Sequence, residues 1–135
     1  MPFAYNKRYF DLFLAIRAMF IHSQDAEGVQ LLNSASQLIV RIMGHFFQFG
    51  LSELVGICSG TDLCRDDYAA AEQDIKTFRN YWQAICENLA DPRYCNNIQF
   101  EALANETIEL NLDDPSVLAQ FLYSVCHGAF LSRAL

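Results

Sequence analysis

Apolar residues Tyr68, Ala71, Ile75, Phe78, Trp82, Ile85 and Leu89 recur at alternating intervals of three and four. That spacing places them on one face of a helix. Glu72, Lys76, Arg79, Asn80, Gln83 and Glu87 fill the opposite face, with Glu72 four residues before Lys76 in the favourable order for an ion pair. The pattern predicts an amphipathic helix over about 62–90 with Thr61 or Asp62 as its cap. Pro92 ends it by disfavouring helical geometry at Asp91. A helix of this kind draws most of its stability from burying its apolar face against other helices.

Three more segments share the period. Tyr9, Leu12, Phe13, Ile16, Met19 and Phe20 predict a helix over about 7–22, capped by Asn6. Leu31 to Phe49 predicts a second over about 26–49, with Asp25 as N-cap and Gly50 as the residue beyond its C-terminus. Gly44 marks a place for close packing or a small bend. Asp114 followed by Pro115 starts a last helix over about 115–132, with Val117, Leu118, Phe121, Leu122, Val125 and Phe130 expected toward the core.

The remainder is shorter. Leu51–Cys58 reads as a short helix or turn, and Ile98–Ala104 as another. Thr107–Leu112 alternates like a strand, yet no second strand is evident to pair with it. The expectation is an all-α, single-domain bundle over 1–135, with four main helices and short accessory ones.

Composition sharpens this. The chain has 135 residues, 53 % hydrophobic, with 11 Phe and a net charge of −7. One core is the expected outcome, and apolar residues are abundant enough that some are expected at a surface contact. Net acidity argues against nucleic acid, which is held by clustered Lys and Arg, and against anionic membrane surfaces. Asp11 and Arg17 interrupt the apolar run after Lys7-Arg8, so no signal peptide is expected. Arg41, His45, Gln48 and Glu53 likewise interrupt Leu38–Cys58, so no membrane span is expected. Five cysteines without a CxxC motif fit buried thiols in a reducing compartment, hence a cytoplasmic location, although delivery into another cell is compatible with the same pattern. A Cys58–Cys64 bridge is the alternative in an oxidising one.

Candidate chemistry is sparse. His22, His45 and His127 show no i,i+3 or i,i+4 pairing and no Glu-x-x-His, so no metal site is expected and the histidines read as solvated. Gly56-Ile57-Cys58-Ser59-Gly60 imitates a nucleophile elbow but follows a helical segment rather than a strand. Cys126 and His127, as neighbours, point to different helix faces. No catalytic residue and no cofactor is expected.

Interaction candidates remain. Between Arg93 and Arg133 the chain has no Lys or Arg, while Glu101, Glu106, Glu109, Asp113 and Asp114 fall there. Uncompensated carboxylates would steer a basic partner. Phe47 departs from the face of Phe46 and Phe49, and Tyr81 lies beside the apolar seam, so both are candidate contacts. The function expected is a non-enzymatic protein-protein interaction module: an adaptor, an effector chaperone or an inhibitor, acting as a homodimer or in an obligate complex. The alternatives are a bundle that binds a lipid or other hydrophobic small molecule, and an enzyme using Cys58 or Cys126.

Overall fold

Helix starts follow the polar side chains that can satisfy free backbone N–H groups. In the computed structural model, which describes residues 5–60 and 66–132, Asn6 accepts from the Arg8 N–H and opens α1 (Lys7–His22). Asp25 accepts from the Gly28 N–H and opens α2 (Ala26–Phe49). Gly50, at φ +78°, then turns the chain by 120° into α3 (Leu51–Ser59), a backbone conformation that glycine adopts without strain.

A tight turn at Asp66–Tyr68 leads into α4 (Ala69–Leu89). The helix is therefore shorter than the predicted 62–90. Tyr68, first residue of the apolar seam, sits in the turn. From there its ring meets Phe49 edge-on at 5.1 Å and its hydroxyl donates to Glu53. The expected caps Thr61 and Asp62 lie outside the described residues.

After a second tight turn at Pro92–Cys95, Asn97 accepts from the N–H groups of Gln99 and Phe100 and opens α5 (Ile98–Glu109). The strand-like alternation from Thr107 is thus overruled through Glu109. Buried Thr107 returns its hydroxyl to the Leu103 carbonyl one turn back, and Ala104 buries with it. Extended backbone begins at Leu110. Asp114 accepts from Ser116 and Val117 N–H groups ahead of α6 (Pro115–Ser132). All regular structure among the described residues is helical.

α2 packs along α4 and also meets α1 and α6, while α3 folds back against α6. All seven seam residues of the 68–89 stretch are buried, and Phe13, Trp82 and Phe121 join α1, α4 and α6 through ring centroids 4.8–6.5 Å apart. Each such ring removes a large apolar area from water. The buried side chains form a contiguous cluster drawing on all six helices. α6 approaches α1 most closely at Gly128, where a Cβ would lie 2.3 Å from the Phe10 ring. Gly44 is different. An added Cβ there meets nothing within 4 Å, so the close packing expected at that position is absent.

Among the described residues, no single helix is long and apolar enough to cross a membrane. α2 and α3 would satisfy length and composition together, but they are bent apart at Gly50 and both bury residues in the core.

Candidate functional site

The C-terminal half of α2, the first residue of α3 and the C-terminal half of α6 enclose a groove of about 320 Å³. Met43 and Phe46 floor it from α2, and Tyr123 meets Phe46 edge-on at 5.9 Å. Its rim is apolar and open to solvent. Phe47 is 78 % exposed, Phe130 59 % and Leu131 64 %, and the rings of Phe47 and Phe130 meet edge-on at 6.1 Å. Exposure of Phe130 corrects its predicted place in the core: α6 runs past the helices that cover it, and its last turn loses its neighbours. Val40, also exposed, lies four residues before Gly44 and seven before Phe47, so the three share one outward face of α2. Phe47 was singled out in sequence because it leaves the face of Phe46 and Phe49. Tyr81, singled out with it, is half-buried against the core.

The acidic segment turns out to be partly neutralised. Arg8 on α1 grips Glu106 through both Nε and Nη2, with Nε–Oε2 at 2.7 Å. Arg79 on α4 holds Asp113 at 2.9 Å. The Arg8 guanidinium keeps the Glu106 carboxyl below its ordinary range against a smaller opposing effect of burial. Asp114 is engaged as the cap of α6. Glu101 and Glu109 are exposed. The charge gap read along the chain is closed across space by arginines from other helices, and the five carboxylates are not gathered into one uncompensated patch.

Two buried acids carry more structure than the sequence suggested. Asp74 on α4 is buried, with Arg41 Nη2 at 3.1 Å from Oδ1 and His45 Nε2 at 2.8 Å from Oδ2. His45 is therefore a half-buried partner of α4 rather than a solvated side chain. The signal was present: Asp74 stands three residues after Ala71 and four before Phe78, on the apolar face, and Arg41 and His45 are an i,i+4 pair on α2. His127 is also enclosed, between the rings of Tyr5 at 4.8 Å and Tyr123 at 5.6 Å. His22 remains exposed as expected.

No protein-family model, curated protein or solved structure matches this chain. Its functional reading rests on the site itself.

Cys58, Cys86, Cys95 and Cys126 are thiols; Cys64, and with it the Cys58–Cys64 bridge, lies outside the described residues. Burial pushes Cys58 up to about 12, with Arg79 opposing, and Cys86 up to about 11, with Glu87 adding to the rise. Burial raises Cys126 as well, and its Sγ lies 3.8 Å from the Ile39 carbonyl. Thiols held protonated at neutral pH are poor nucleophiles.

Proposed function

We propose that this protein is a non-enzymatic interaction module whose contact face is the apolar rim formed by Val40, Phe47, Phe130 and Leu131. The observation that carries this reading is Phe47, a phenylalanine ring 78 % exposed beside two more exposed apolar side chains and a groove. Isolated exposed apolar residues are ordinary, but a contiguous cluster around a concavity is the usual mark of a protein contact. Aromatic anchors beside a desolvated pocket supply most of the binding energy in such contacts. The open position at Gly44 lets a partner helix approach the α2 backbone between Val40 and Phe47. The occupant is an amphipathic helix, supplied by a second copy of the chain or by the partner of an obligate complex. Raised thiol pKa values argue against the cysteine-enzyme alternative.

Light scattering and affinity capture test this on Phe47→Glu and Phe130→Glu. Both positions face solvent, so the variants should keep the wild-type melting profile while losing self-association or the captured partner. A wild-type protein that stays monomeric at high concentration, binds no hydrophobic dye and retains no partner would sink the proposal.

A further inference from the structure

Trp82 lies in the core between Phe13, Phe78 and Phe121, and its indole N–H is buried without an acceptor among the described residues. Unpaired buried donors are rare in folded proteins, and each calls for a physical account. Trp82 also lines a cleft of about 490 Å³ between α4 and residues 108–113, on a different part of the molecule from the apolar groove. That size falls within the ordinary range for small-molecule sites, about 300–1,000 Å³.

The two walls of the cleft carry opposite charge. Lys76 and Arg79 belong to the α4 wall, and Glu109 and Asp113 to the facing segment. Ile108 and Leu110 add apolar surface beside Trp82. Arg79 is held by Asp113 at 2.9 Å, but the Asp113 side chain is 89 % exposed. An ion pair so solvated is weak and easily exchanged. A simple anion would be repelled by Glu109 and Asp113, and a simple cation by Lys76 and Arg79. A molecule carrying both charges at separate ends satisfies both walls.

We propose that the cleft binds a zwitterionic, apolar ligand: a free hydrophobic amino acid or a short hydrophobic peptide. Its carboxylate lies toward Arg79 and Lys76, its ammonium toward Glu109 and Asp113, and its apolar side chain against Ile108 and Leu110. One oxygen of the ligand accepts from the Trp82 indole N–H, which gives that buried donor its partner. Charge-assisted contacts at both ends set the orientation.

Trp82 is the sole tryptophan of the chain, so one indole N–H signal in a ¹⁵N–¹H spectrum reports the site directly. Titration with the dipeptide leucyl-leucine should move that signal downfield in a saturable manner. The same dipeptide, acetylated at its N-terminus and amidated at its C-terminus, should leave it in place. Arg79→Gln should weaken binding about tenfold or more, as loss of a charged contact does. Lys76→Gln, at an exposed position, repeats the test should Arg79→Gln perturb the fold. An indole signal that stays still up to roughly 10 mM leucyl-leucine overturns the proposal. So does equal movement with the blocked dipeptide, or unchanged affinity in a folded charge variant.

Discussion

The Tyr94 hydroxyl donates a 2.6 Å hydrogen bond to Asp25 Oδ2, linking residues 69 positions apart. The same carboxylate caps α2 through the Gly28 N–H at 3.0 Å and accepts from Asn88 Nδ2, in the last turn of α4, at 3.2 and 3.3 Å. One buried acid thus fastens the α1–α2 turn to the end of α4 and to the tight turn beyond it. Tyr94→Phe removes one bond to a charged group and leaves the rest of the network standing. The expected cost is about 1.5–3 kcal/mol in urea unfolding. Asp25→Ala should cost more, because the cap of α2 goes with it.

Acid should weaken the fold through the same residue. Burial by itself raises Asp25, but the hydrogen bonds from Tyr94, Gly28 and Asn88 outweigh it and hold the group below its ordinary 3.8. Glu106, gripped by Arg8, is likewise held below its ordinary 4.5. A folded-state value below the unfolded one means stability that is complete above the unfolded value. It is lost as pH falls through the folded value. Stability should therefore decline below about pH 4.5, and Tyr94→Phe should flatten that decline relative to wild type. Thermal melts at stepped pH measure the slope; equal slopes would mean that the hydroxyl does not hold the carboxylate charged.

Two glycines in helices should respond oppositely to alanine. At Gly44 the added methyl meets nothing, so Gly44→Ala should gain about 0.5–1 kcal/mol from helix propensity alone. At Gly128 the methyl would strike the buried Phe10 ring, and forced displacement of a packed ring costs about 1–3 kcal/mol. Gly128→Ala should lower the melting temperature. If it raises it, α1 and α6 pack less closely than described.

Phe78 is fully buried, stacked on Trp82 at 6.1 Å and close to Phe121. Phe78→Ala should cost about 3–5 kcal/mol, the range for truncating an aromatic core residue. A loss below about 1 kcal/mol in denaturant titration would show that this face of α4 is not packed.

The helices were legible because their signals are local. Asn6, Asp25, Asn97 and Asp114 accept from N–H groups two or three residues ahead, and the three-four apolar spacing of 68–89 places its own residues on one face. Gly50 ends α2 because glycine tolerates a positive φ. Each of these depends on residues within about one or two turns, which the order of amino acids determines by itself. The 107–112 alternation misled because pairing, rather than alternation, makes a strand, and these residues had the α5 ladder to continue instead. Relations between distant segments were set by the tertiary structure alone. Arg8 reaches Glu106, and Arg79 reaches Asp113, only after helix packing brings them together. Packing likewise turned Asp74 inward onto Arg41 and His45 while leaving Phe47 and Phe130 outside. An apolar period says which face of a helix must be covered; how far the covering neighbours extend decides which residues at its ends stay exposed.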